Sequence, residues 1–164
     1  MNFLKSLSHE NNAYIIAEIG NNHNGSLARA KALIDVARDC GADCVKFQLR
    51  DMEDLYGQQF SLSDKNLTVQ YTVDLLQKNQ LPTADLFEAL DYASRQGLLP
   101  LCTPWDTKSF EKLEQFGISG YKVASADLTN HELIKKISAT TVIRFTTQKD
   151  SNKNKLADTN KVYL

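Results

Sequence analysis

The chain has 164 residues, enough for one domain of ordinary size with a real buried core. Its 42% hydrophobic and 24% charged residues are the proportions of a soluble globular protein. A net charge of −1 and a pI near 6.3 imply no overall pull towards nucleic acid or anionic membrane, and no apolar run approaches the roughly 18 residues of a membrane span. The opening MNFLKSLSHENN has neither an apolar core nor a small-residue cleavage site, so no secretory leader is expected. Cys40, Cys44 and Cys102 are odd in number and lack metal-like spacing; they read as reduced, mostly buried thiols, and the expected location is cytoplasmic.

In chain order, residues 14–19 form the first predicted strand. Ser26 is placed to cap a helix over 27–40, whose apolar residues Leu27, Ala30, Leu33, Ile34, Ala37 and Cys40 recur at helical spacing, and Gly41 ends it. Residues 43–49 are the second strand. Residues 51–82 make a long polar connection expected to hold a helix over 67–79. A helix over 84–96 closes at Gly97, a strand follows at 98–103, and a short helix over 108–116 closes at Gly117. Residues 120–125 are the fourth strand. Thr129 with Glu132 predicts a capping box for a helix over 131–138, and 141–147 is a fifth strand. After Thr147 the composition turns to Lys, Asn and Asp, which predicts a weakly ordered tail.

Strands alternating with crossover helices run parallel in one sheet, so the class is α/β. Both a doubly wound sheet and a (β/α)8 barrel begin this way. In a barrel, alternate residues point inward and the strand C-terminal ends carry the chemistry. Glu18, Lys46 with Gln48, Thr103, and Lys122 put a polar or charged residue at or near the end of each of the first four strands. Four in succession point to a site.

Lys46 and Lys122 sit among apolar or small neighbours. Either alone could snorkel to the rim or pair with a carboxylate. Together at one end of a parallel sheet they form a cationic cup suited to a phosphate or carboxylate, with Thr103 and Ser125 as hydroxyl donors. Glu18 ends an apolar strand; it either pairs with Lys46 or binds substrate hydroxyls and assists proton transfer. The turn GNNHNG has the G-x-x-x-x-G outline of a phosphate loop, yet Ser26 and Leu27 stand where that loop needs Lys and then Ser or Thr. His9, His23 and His131 show no metal-ligand spacing.

The stretch IAEIGNNHNGSLARAKALIDVARDCGADCVKFQ, then LCTPWD, then YKVASAD, strongly resembles the sialic acid synthase family, which includes N-acetylneuraminate, legionaminic and pseudaminic acid synthases. The likeness runs from about Tyr14 to about Ala139. It implies the N-terminal half of a TIM (β/α)8 barrel that condenses phosphoenolpyruvate with an N-acyl hexose such as an N-acetylmannosamine-like sugar, with Mn2+ or Mg2+ polarising the aldehyde. By motif position it implies that Lys46 and Lys122 bind phosphoenolpyruvate with help from Thr103 and Ser125, and that Glu18 stands beside the reacting groups. It places Gln48, Trp105 and Asp127 on the sugar side, and Asn22 and His23 in a first loop facing the pocket; many members have Phe at the position of Trp105 and Glu at that of Asp127. No nucleic-acid or membrane partner is implied, and a complete chain would be a homo-oligomer.

The family's barrel takes about 250 residues, and its metal-binding histidines lie on later strands without counterparts here. Near Thr140 the likeness fails. The expected organisation is therefore a lead-in over 1–12, a partial barrel over 13–147 and a divergent polar tail over 148–164. A prematurely ended or frameshifted product is expected, with little synthase activity of its own.

Overall fold

The computed structural model describes residues 14–56, 67–140, 143–146 and 161–163. Six strands, β1 (Ile16–Gly20), β2 (Cys44–Leu49), β3 (Leu99–Pro104), β4 (Gly120–Val123), β5 (Ile143–Thr146) and β6 (Lys161–Tyr163), form one sheet. They lie side by side in chain order, and each neighbouring pair is parallel. The connections carry helices α1 (Leu27–Asp39), α2 (Met52–Tyr56), α3 (Leu67–Asn79), α4 (Thr83–Arg95), α5 (Thr107–Phe116) and α6 (His131–Ser138), and a 3₁₀ turn at Ser125–Thr129.

Strand order settles the choice of fold. A doubly wound sheet reverses its winding at a switch point, whereas a barrel adds each strand beside the last. Here the order runs without reversal, and α1, α4, α5 and α6 share one core with a single sheet face. Val45, Phe47 and Leu49 of β2, Cys102 of β3 and Tyr121 of β4 point to that face, where they meet Ile34, Leu90, Leu113 and Ile137. Cys44 and Leu101 point the other way, into a small inner cluster with Tyr14, Ile16 and Leu99. The architecture is the N-terminal part of a (β/α)8 barrel.

Most predicted elements form within a residue or two of their expected limits. Ser26 caps α1 through its Oγ, which accepts from Arg29 N at 3.3 Å. Gly41, Gly97 and Gly117, the expected helix stops, have φ of 79°, 83° and 80°. Outer-layer contacts tie neighbouring helices, with Lys31 Nζ 2.5 Å from Glu88 Oε1 and the Phe87 and Phe116 rings stacked at 4.6 Å.

Four expectations are revised. The cap of α6 is Asn130, whose Oδ1 accepts from Leu133 N at 3.2 Å; Thr129 instead ends the 3₁₀ turn that delivers the chain to the helix. That turn also shortens β4, which stops at Val123 instead of running to Ser125. Met52–Tyr56 forms a short helix inside the polar connection, with Glu53 and Asp54 in its first turn. In the segment expected as a tail, Lys161–Tyr163 pairs with β5; residues 148–160 and the lead-in at 1–12 lie outside the described residues. Among the described residues, no helix is long and apolar enough to cross a membrane.

Candidate active site

The inner sheet face is organised in rows by the strand register. Glu18 pairs with Lys46, and Lys46 with Leu101; one step towards the C-terminal ends, Gln48 pairs with Thr103. Tyr121 pairs with Cys102, so the next residues along, Lys122 and Thr103, fall side by side on the opposite, inner face.

Lys46 is 5% exposed, and its Nζ lies 2.6 Å from Glu18 Oε2. The ion pair expected as the plainer reading of Glu18 is thus present, and it offsets the cost of burying the ammonium. The Glu18 side chain is 55% exposed, so the carboxylate also faces open space. A bulge follows it: the register slips between Glu18 and Gly20, and Gly20 adopts φ +51°. A Cβ on Gly20 would lie 2.9 Å from Glu18 Oε1 and 3.2 Å from Gln48 Nε2. Glycine is required there both by φ and by the close approach of those two side chains.

Lys122 is half-buried, and no ion pair among the described residues includes it. Burial, with Lys46 reinforcing it, holds its amine below the ordinary lysine value, while Glu18 and Asp127 oppose the shift. The two ammoniums therefore share one neighbourhood, and one of them forms no ion pair among the described residues. The buried Oγ1 of Thr103 has no hydrogen-bond partner among the described residues.

Above the lysines lies a second tier. Arg50, just beyond β2, donates from Nη2 to Gln48 Oε1 at 2.5 Å, and its guanidinium stacks over the Trp105 ring at 4.3 Å. Trp105 is positioned by its own N–H, which donates to Leu49 O at 3.1 Å, while its buried Nε1 has no partner among the described residues. Asp127, in the 3₁₀ turn, is buried with Oδ2 likewise unpartnered. Burial pushes its carboxyl pKa up against the pull of a hydrogen bond with Asn130 and the charges of Lys122 and Arg50. Asp106 holds this rim together: Oδ1 accepts from Ser109 N at 2.6 Å, and Oδ2 from Ser109 Oγ at 2.7 Å and Asp51 N at 2.8 Å.

Two expected site residues stand elsewhere. His23 is 1% exposed and stacks on Phe47 at 6.1 Å, on the helix-facing side of β2, with Nδ1 accepting from Gly25 N at 3.1 Å. Burial lowers its pKa, against a hydrogen bond to the Gly20 backbone; its stacking on Phe47 turns the ring into the first loop and away from the pocket. Ser125 is exposed and opens the 3₁₀ turn, where the shortened β4 has left it off the strand. Asn22 is exposed in the first loop. Arg50 and Asp106 went unread in the sequence. The alternation Lys46, Gln48, Arg50 was a signal for the first, and an Asp just before the TKSFEKL helix was one for the second.

Among the described residues, no three His, Cys, Asp or Glu side chains gather to hold a metal. The described side chains therefore offer no ligand set for the divalent ion implied by the resemblance. Cys44 and Cys102 are buried free thiols; burial pushes Cys102 up to about 12. A groove at the opposite end of the strands is lined by Tyr14, Asp43, Ser94, Leu99 and Ser119, away from the cationic rim.

Parallel strands in barrel order and outer helices define the front of a (β/α)8 barrel, with charged groups at the strand C-terminal ends where such barrels carry their sites. Residues 33–143 match the model of the NeuB family, and the chain belongs to that family. It is 34% identical over 128 residues to the N,N'-diacetyllegionaminic acid synthase of Campylobacter jejuni, covering 76% of this chain and 38% of that protein. Human N-acetylneuraminate-9-phosphate synthase is 33% identical over 75% of this chain and 35% of its own length. The crystal structure of the N-acetylneuraminic acid (sialic acid) synthetase of Leptospira borgpetersenii serovar Hardjo-bovis, in complex with citrate, matches with a TM-score of 0.73 and 26% identity. That match covers 87% of this chain and 47% of the other. The chain thus spans a little over a third of the length of the curated relatives it matches.

Proposed function

We propose that this chain supplies the phosphoenolpyruvate-binding part of a sialic-acid-type synthase. The reaction joins C3 of phosphoenolpyruvate to the aldehyde carbon of an N-acyl hexose, water adds at C2, and phosphate leaves with C–O cleavage to give a nine-carbon 2-keto acid. The observation that carries this reading is the pair Lys46 and Lys122 converging at the strand ends, one of them with no carboxylate partner among the described residues. Two ammoniums in a partly desolvated site stabilise a phosphate dianion and the charge that gathers on it as it departs. The unpartnered Thr103 hydroxyl is a donor for the same group. Glu18 fixes Lys46 and presents its open side to water or a substrate hydroxyl, where it moves a proton. Gln48, Trp105 and Asp127 bind the sugar. No step is assigned to a metal.

A second reading is a half barrel that binds an anion or a partner chain without turnover; the Thr103 hydroxyl without a partner among the described residues and the partly buried Lys122 amine suit anion binding with or without a reaction. Phosphate release from phosphoenolpyruvate and N-acetylmannosamine, assayed with and without Mn2+, separates the two. Sugar-dependent release supports the synthase, phosphoenolpyruvate binding without release supports the half barrel, and neither binding nor release removes both.

A further inference from the structure

We propose that Arg50 is a specificity-determining residue, an oxyanion receptor at the mouth of the site that reads a terminal phosphate on the acceptor sugar. The inference rests on the synthase reading and deepens it.

Arg50 is a buried cation, 8% exposed, that no ion pair among the described residues includes. A guanidinium taken out of water without a counter-ion is costly unless an anion completes it. Asp106 and Asp127 favour its charge from a distance, but neither forms an ion pair with it among the described residues, and the oxygens of Asp106 accept from Ser109 and the Asp51 N–H. The guanidinium is nevertheless held in place, with its face on Trp105 and one N–H on Gln48, while Gln80 Nε2 donates to the Arg50 carbonyl at 2.8 Å. A planar fork with its orientation fixed and donors remaining is the arrangement that takes a phosphate bidentately. The unpartnered Trp105 Nε1 adds a further donor beside it.

Depth selects the acceptor. Arg50 lies four residues beyond Lys46, about 13 Å at the rise of a parallel strand. The aldehyde end of an open-chain sugar must reach phosphoenolpyruvate at the lysine row, so its far end extends towards the Arg50 tier. The carboxylate of phosphoenolpyruvate is the other possible source of an oxyanion, and the experiment separates them.

The test titrates the 164-residue chain calorimetrically with phosphoenolpyruvate, N-acetylmannosamine and N-acetylmannosamine 6-phosphate, as wild type, Arg50→Gln and Arg50→Lys. The expected wild type binds the phosphorylated sugar at least about tenfold more tightly than the plain sugar. Arg50→Gln brings that ratio near one and leaves phosphoenolpyruvate affinity unchanged; Arg50→Lys keeps part of the ratio. A wild-type ratio near one overturns the proposal without any variant. So does a ratio retained in Arg50→Gln, or a loss confined to phosphoenolpyruvate, which would give Arg50 to that substrate's carboxylate. Should Arg50→Gln fail to fold, a full ratio in Arg50→Lys, or a wild-type ratio insensitive to salt, overturns it as well. Absence of phosphoenolpyruvate binding by the wild type counts against the synthase reading instead.

Discussion

Lys46 and Lys122 carry the same charge at the same rim, yet their surroundings give them different parts. Lys46 is anchored by Glu18, whereas Lys122 is half-buried and its protonation is disfavoured by burial and by Lys46. An anion binds the protonated amine, so affinity is full well below the depressed pKa of Lys122 and falls as pH rises through it. For phosphoenolpyruvate the loss therefore begins at lower pH than the ordinary lysine value of 10.5 would give. A titration series from pH 7.5 upward reads this cleanly, because the phosphate monoester is already a dianion there (second pKa about 6). Lys122→Arg is expected to flatten the profile. The lysines, Thr103 and Glu18 were legible as candidates because alternation along a strand assigns them to one face. His23 was not, since a turn residue's direction depends on the local backbone, here on the bulge at Gly20 that sends the ring onto Phe47.

The elements that aim these residues depend on a few caps and turns. Asp106 starts α5, ties it to the end of β2 through Asp51 N, and sits beside Trp105 in the chain. Asp106→Ala removes the cap and leaves a backbone donor unpaired, which is expected to cost about 2–3 kcal/mol in a urea melt. Asp106→Asn, which keeps a capping oxygen, is expected to cost clearly less. Helix limits were readable because Ser26, Gly41, Gly97 and Gly117 mark them by known backbone geometry. The end of β4 was not readable: YKVAS has a strand-like composition, and only the 3₁₀ turn with its Asp127 N to Ala124 O hydrogen bond stops it. The same turn moves Ser125 off the strand and brings Asp127 to the rim.

At the scale of the molecule, alternating strands and helices imply the α/β class but suit a barrel and a doubly wound sheet equally. The order of strands and the single helix-bearing face decide between them physically, and neither is encoded in local propensity. On the proposed reading a ligand at the rim touches residues of β1 to β4, so its binding is expected to stabilise the sheet. Phosphoenolpyruvate at about 100 times its Kd is expected to add about 2.7 kcal/mol, a rise of roughly 5–10 °C in Tm by thermal scan. The same concentration is expected to shift Lys46→Ala much less.

The most direct test of the cationic cup is a calorimetric titration of phosphoenolpyruvate into wild type, Lys46→Ala and Lys122→Ala, with folding of each variant checked by circular dichroism. Loss of a charged hydrogen bond of about 1.5–3 kcal/mol predicts affinities weaker by roughly 10- to 100-fold in each variant. Equal affinity in wild type and both folded variants would contradict the account.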